Sequence, residues 1–133
     1  MPIVTASNCL SRKWGKTLER ILVTGAAGFI GFHVSLALLD RGDDVLGIDN
    51  VNDYYDVSLK DARLEALAGR DGFKFERLDI ADREAMAGLI ARHGGIIRVV
   101  QLAAQAGVRY SLIDPYAYTR ANVEGQLVVL EAC

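Results

Sequence analysis

Apolar residues along this chain alternate between short continuous runs and longer amphipathic stretches. Ile21-Leu22-Val23 predicts a first strand over Arg20–Thr24. The apolar-rich stretch from Phe29 to Leu39 then predicts a helix over Gly28–Asp40, with Gly42 as its C-cap. A second strand follows at Asp44–Ile48, and Asn50–Asp56 reads as a polar and aromatic loop. The second helix is expected over Ser58–Leu67, stopping at Gly69. The third strand is Phe73–Leu78, ending at Asp79. The third helix is Asp82–Arg92, with acids at its start and Arg92-His93 at its end, as the helix dipole favours. The fourth strand, Ile96–Leu102, is a β-branched run too apolar for a half-exposed strand, and a last helix covers Pro115–Ala132.

Strands separated by helices require crossover connections, and these give a parallel sheet. The fold class is therefore α/β, a doubly wound, Rossmann-like parallel sheet with strand order 3-2-1-4. Such a fold normally has further strands after the fourth. The chain reads as the N-terminal part of a larger protein, truncated after about four strands, with an unpaired edge on the fourth. Residues 20–133 form the dinucleotide-binding domain in this reading, incomplete at its C-terminal end. Residues 1–19 form a leader that differs in composition, with Arg12, Lys13 and Lys16 against a single acid, Glu19. It lacks the continuous apolar core of a secretory signal and is expected to be disordered. Trp14 within it has no assigned role.

Composition narrows the function. A chain of 133 residues, 51% hydrophobic and 24% charged, is long enough for one modest core. A net charge of -2 argues against a nucleic-acid partner. No apolar run approaches the length of a membrane span, which argues against a membrane partner. Cys9 and Cys133 lie near opposite ends of the chain with no metal-ligand spacing, which fits a reducing cytoplasm and no metal site.

The chemistry concentrates in Thr24-Gly25-Ala26-Ala27-Gly28-Phe29-Ile30-Gly31. A strand that ends in glycines and opens a helix makes a phosphate site. Gly25 permits the tight turn, Gly28 lets backbone approach a pyrophosphate, and Gly31 lets the helix sit close to the strand. The helix N–H groups and dipole then face the anion. Asp49, at the end of the second strand, stands at the distance expected of an acid that accepts hydrogen bonds from an adenosine ribose. An acid there also repels a 2′-phosphate, which favours NAD over NADP.

Thr24-Gly25-x-x-Gly28-x-x-Gly31 resembles the extended short-chain dehydrogenase/reductase pattern. Gly47-Ile48-Asp49-Asn50, the block Val51–Lys60, the block Leu102–Ser111, Asp114-Pro115-Tyr116-Ala117-Tyr118 and Asn122-Val123-Glu124-Gly125 are similar to the nucleotide-sugar epimerase branch of that family, in particular the UDP-glucuronate 4-epimerases. The resemblance covers Ile21 to Cys133. It implies an NAD cofactor, a UDP-sugar substrate, a possible homodimer formed partly through the helix from Pro115, and a place in polysaccharide biosynthesis. It also implies site residues. Gly25, Phe29, Ile30 and Gly31 would lie along the cofactor diphosphate. Asp49 and Asn50 would hold the adenosine ribose, and Asp79 and Ile80 would meet the adenine. Leu102, Ala103 and Ala104 would stand beside the nicotinamide ribose, with Asn122 near the active-site end of the fourth strand. Gln105 and Arg109 would face the sugar nucleotide. Sibling dehydratases and decarboxylases share most of the cofactor motifs, and a non-catalytic NAD-binding fragment is a second alternative.

The chain departs from that pattern in three places. Gln101 stands where the family usually has histidine, and Gln126 where threonine is common. The catalytic Tyr-x-x-x-Lys is absent: four positions after Tyr54, Tyr55, Tyr110, Tyr116 and Tyr118 come Ser58, Leu59, Asp114, Arg120 and Asn122. The chain alone is therefore expected to be inactive, without a catalytic residue of its own. Elsewhere plainer readings hold. His33 reads as structural and His93 as a helix-terminal charge. Tyr54 and Tyr55 suit either an adenine cover or packing on their own loop, and Arg109 suits either a substrate ligand or a local salt bridge.

Overall fold

The computed structural model describes residues 20–133; the leader over 1–19, with Cys9 and Trp14, lies outside the described residues. Strand β1 (Arg20–Thr24) leads to helix α1 (Phe29–Arg41), β2 (Asp44–Asp49) to α2 (Val57–Ala68), and β3 (Phe73–Arg77) to α3 (Arg83–Arg92). Strand β4 (Ile96–Val100) is followed by a 3-10 turn over Val108–Leu112, helix α4 (Pro115–Thr119), a π-helical turn over Arg120–Glu124, and helix α5 (Gly125–Ala132). All strand pairs are parallel and the order is β3-β2-β1-β4, as the alternation of elements predicts.

Both sheet faces are covered, which explains the unbroken apolar runs in β1 and β2. On one face Leu22, Leu46 and Ile48 meet Met86 and Leu89 of α3 and Val128 and Val129 of α5. On the other, Ile21, Val23 and Val45 meet Leu39 of α1 and Leu67 of α2. Adjacent residues of one strand thus serve opposite cores. Among the described residues no helix is long and apolar enough to cross a membrane.

Two elements differ from the sequence expectation. Strand β4 stops at Val100 rather than Leu102, and it is half-exposed despite its composition: Ile97 is 48% exposed and Arg98 is exposed. Among the described residues β1 is its only strand neighbour, so hydrophobicity alone cannot bury it. The last helix keeps its helical backbone over Pro115–Ala132 but is not regular. One widened turn, Arg120–Glu124, separates α4 from α5. Gly125 follows that turn against Ile80, whose Cδ1 would lie 2.7 Å from a Cβ placed there.

His93 does more than end α3. The buried Arg20 donates from Nη1 to His93 Nδ1 at 3.2 Å. A guanidinium only donates, so Nδ1 accepts and the opposite nitrogen, Nε2, carries its proton toward Glu76. Arg92 donates to the same carboxylate at 2.6 Å. Burial alone would push the Glu76 carboxyl up, but the bonds from His93 and Arg92 outweigh it and hold the group below its ordinary value of 4.5. A lowered pKa contributes stability that is present above the ordinary value and is lost as pH falls through the folded-state value. Glu76→Gln should therefore lower Tm at pH 7, and its difference from wild type should shrink in acid below about pH 4.5. An equal Tm difference at pH 7 and pH 3 would contradict this account.

Candidate functional site

The β1–α1 turn is built by close approach of backbone. Gly25 has φ +70, and a Cβ on it would lie 2.9 Å from the Ala103 nitrogen, so the tip of β1 abuts the exit of β4. Gly31 is tighter, since a Cβ there would lie 2.0 Å from the Gly25 carbonyl oxygen. Gly28 is the N-cap of α1, and no side chain caps that helix. Its first-turn N–H groups have no intrahelical partners, and a Cβ on Gly28 would meet only the Gly25 oxygen at 3.2 Å. An anion could settle there without displacing a protein group.

Thr24 locks this turn to the far strand. Its Oγ1 accepts from the N–H groups of Leu102 and Ala103, both at 2.9 Å, and donates to Gln101 Oε1 at 2.5 Å. Gln101 in turn donates to the Ala103 carbonyl at 3.1 Å. The hydroxyl's full capacity of two acceptor sites and one donor is used. This is why β4 ends at Val100: the next N–H groups turn to Thr24 instead of continuing the ladder. It also gives Gln101, the residue where histidine was expected, a structural task. Thr24→Val removes both acceptor sites at a fully buried position and should cost about 2–4 kcal/mol, while Thr24→Ser should cost under about 1 kcal/mol. Urea denaturation of the two variants checks this, and equal losses would remove the hydroxyl from the explanation.

Asp49 ends β2 and is 8% exposed. Its Oδ2 accepts from Ala27 N–H at 3.2 Å and its Oδ1 from Val51 N–H at 2.7 Å. The carboxylate therefore ties the glycine turn to the loop that follows β2. Val51 is held at φ 50, a costly conformation for a β-branched residue. Arg77 secures the same bend by donating to the carbonyls of Asn50 at 3.1 Å and Val51 at 3.4 Å. Lys60 of α2 is buried beside them, its Nζ donating to Asn52 Oδ1 at 2.9 Å and lying 3.7 Å from Asp49 Oδ1.

Across the cleft, Asp79 accepts from Ala81 N–H at 2.9 Å and pairs with Arg120 of the π-helical turn at 3.2 Å. Asn122, in the same turn, makes a reciprocal pair with the Gln105 backbone: its Oδ1 accepts from the N–H at 2.8 Å and its Nδ2 donates to the carbonyl at 3.0 Å.

These elements surround an open cleft of about 710 Å³, counted to its mouth, at the carboxyl ends of the strands beside the junction of β1 and β4. Of the residues singled out in the sequence, Gly25, Gly28, Asp49, Asn50, Asp79, Ile80, Leu102, Ala103, Ala104 and Gln105 line it. Phe29 and Ile30 do not; their side chains are exposed on the outer side of α1 beside His33, so only their backbone N–H groups could serve a ligand. Gly31 lies beneath the turn, and the side-chain amide of Asn122 is engaged by Gln105. Arg109 is exposed, outside the lining residues, and makes no salt bridge among the described residues. Lining residues without an assigned role in the sequence reading are Asn52, Lys60, Leu78 and Ala121. Lys60 left one legible trace: it stands seven residues before the buried Leu67, on the same face of α2.

Likeness to known proteins follows the same region. Residues 21–133 match the family model described as NAD dependent epimerase/dehydratase family. The chain is 57% identical over 114 residues to an uncharacterized 37.6 kDa protein of Escherichia coli O111:H-, covering 86% of this chain and 34% of that one. It is 50% identical over 113 residues to UDP-glucuronate 4-epimerase 4 of Arabidopsis thaliana, covering 85% and 25%. The crystal structure of UDP-glucuronic acid 4-epimerase from Bacillus cereus, in complex with UDP-glucuronic acid and NAD, superposes with a TM-score of 0.76 at 38% identity, covering 86% of this chain and 36% of that one. The chain spans about a third or less of the length of these proteins. The matched residues include every element that forms the cleft, from β1 through the π-helical turn, and the chain belongs to the NAD dependent epimerase/dehydratase family.

Proposed function

We propose that this chain is the cofactor-binding part of an NAD-dependent nucleotide-sugar 4-epimerase acting on UDP-glucuronate. The observation that carries the reading is the buried Asp49 carboxylate, set at the tip of β2 and bonded to the backbone of the uncapped glycine turn. A dinucleotide needs this pairing of an anion site with a ribose acceptor one strand away. The first turn of α1 would hold the diphosphate with its N–H groups, including those of Phe29, Ile30 and Gly31. Asp49 and Asn50 would take the adenosine ribose, and Asp79 and Ile80 the adenine. Leu102, Ala103 and Ala104 would form the wall beside the nicotinamide ribose. Gln105 and Arg109 would face the sugar nucleotide, with Asn122 fixing the Gln105 backbone.

NAD, when bound, supplies the oxidation of the C4 carbinol and its re-reduction from the opposite face. The protein contributes orientation and charge. A 4-ketone of glucuronate is a β-keto acid prone to lose CO₂, so the sugar carboxylate must be held out of the cleaving geometry. Arg109 has the charge and planar fork for such a carboxylate or for a diphosphate. The residues of this chain hold no Tyr-x-x-x-Lys, so binding without turnover is the expected behaviour of the chain by itself. We further place the protein in the cytoplasm, in the synthesis of surface polysaccharides, and as a possible homodimer.

Calorimetric titration tests the reading. NAD should bind saturably and raise Tm, by roughly 2.7 kcal/mol of added stability at 100 times Kd. NADP should bind at least about tenfold more weakly, because Asp49 meets its 2′-phosphate. UDP-glucuronate should not be epimerised by this chain. Failure of NAD to bind at millimolar concentration would overturn the proposal.

A further inference from the structure

Tyr54 sits on the loop after β2, yet its ring reaches a different part of the chain. It lies edge-on to Tyr55, with centroids 4.7 Å apart, and 4.8 Å from Tyr110 of the 3-10 turn. Both distances are in the range of favourable aromatic pairs. Its hydroxyl fills the space that a side chain on Gly107 would need: a Cβ there would lie 2.0 Å from Tyr54 Oη, and Gly107 has φ +90. Tyr54 also lines the dinucleotide cleft. One side chain thus touches the cleft and the segment that carries Arg109.

That segment is closed by its own hydrogen bonds. Tyr110 N–H donates to the Gly107 carbonyl, Ile113 and Asp114 N–H groups both donate to the Tyr110 carbonyl, each at 2.9 Å, and Ser111 Oγ donates to the Val108 carbonyl. Its apolar residues Val108, Leu112 and Ile113 are 82%, 86% and 77% exposed. The loop on the other side is firmly placed. Asp49 fixes Val51, Lys60 fixes Asn52, and Asp56 caps α2 by accepting from Ser58 N–H at 2.8 Å. A ligand that settles on Asp49 therefore acts on the loop that carries Tyr54, and Tyr54 is a contact through which the Gly107–Ile113 unit can respond.

We infer that Tyr54 is a positioning residue that couples occupancy of the dinucleotide cleft to the placement of Gly107–Ile113, and with it Arg109. The inference rests on the cofactor reading above. In a full-length enzyme this coupling would set the sugar-facing arginine only after the cofactor is in place.

Amide hydrogen exchange on this chain, with and without saturating NAD, tests the coupling. In the wild type NAD should slow exchange at least threefold both at residues 25–31 and at residues 107–113. In Tyr54→Ala, with NAD raised to saturate that variant, the glycine turn should be protected while residues 107–113 lose their protection. Tyr54→Phe keeps the rings and should keep the coupling. Gly107→Ala attacks the same contact from the other side and should uncouple it as Tyr54→Ala does. Protection confined to residues 25–31 in the wild type overturns the coupling alone. So does protection of residues 107–113 that survives both Tyr54→Ala and Gly107→Ala. No protection anywhere overturns the cofactor reading and the coupling with it.

Discussion

Gly31→Ala should destabilise the domain by more than about 4 kcal/mol, enough to unfold much of the population of a domain whose whole stability is about 5–15 kcal/mol. The added methyl would sit 2.0 Å from the Gly25 oxygen, 2.7 Å from the Gly25 carbon and 3.0 Å from Ala26 Cα. All three are backbone atoms, so no rotamer change relieves the contact. Helix α1 would have to lift from the turn, taking Leu39 away from the core it shares with Val23 and Val45. Gly25 could not yield in the other direction, because it is already in close approach to Ala103. The control is Gly42→Ala. Gly42 has φ +92 with nothing within 4 Å of a Cβ, so alanine there carries only backbone strain, about 1–2 kcal/mol. Urea denaturation of both variants separates steric from conformational cost. A Gly31→Ala loss no greater than that of Gly42→Ala would mean that the helix can rise from the strand without penalty.

The contrast between Gly31 and Thr24 shows what the sequence could disclose. Gly25, Gly28 and Gly31 form a local constraint: strand, turn and helix lie within one short segment, and spacing alone implies close approach. Asp49 was legible for a similar reason, since it ends the strand paired with β1. The order of strands followed from the alternation of runs and periods. Thr24 was silent because its partners Gln101, Leu102 and Ala103 are 77 to 79 residues away, and a hydroxyl gives no sign of which distant N–H it will accept. Lys60 acts through side-chain bonds set by tertiary placement. The π-helical turn at Arg120–Glu124 adds nothing to hydrophobic periodicity that a regular helix would not also show. Strand β4 is half-exposed among the described residues because composition records how apolar a run is, not whether a neighbour covers it there.

Asp49→Ala is the second large effect, and it should damage fold and site together. The substitution leaves the Ala27 and Val51 N–H groups without their acceptor and takes the carboxylate from beside a lysine that is 6% exposed. Removing one partner from a buried ion pair costs about 3–5 kcal/mol. Here Asn52 still accepts from Lys60, which places the expected loss near 3 kcal/mol. Adding Lys60→Met to Asp49→Ala should recover part of it, because the lysine is then no longer a buried charge without a counter-charge. The pair's interaction energy is read from the resulting double-mutant cycle. For binding, the same variant should weaken NAD at least about 100-fold, since a charge-assisted acceptor for the ribose is lost. Discrimination should change along with affinity. With the acid gone and Lys60 still lining the cleft, a 2′-phosphate meets a cation rather than an anion, so the NAD-over-NADP preference should fall at least about tenfold. If Asp49→Ala loses stability but keeps its preference for NAD, the carboxylate is only a brace for the glycine turn, and discrimination must reside in Asn50 or in the loop toward Tyr54. If it loses preference and keeps stability, the ties to Ala27 and Val51 are dispensable and the acid is there for the ribose.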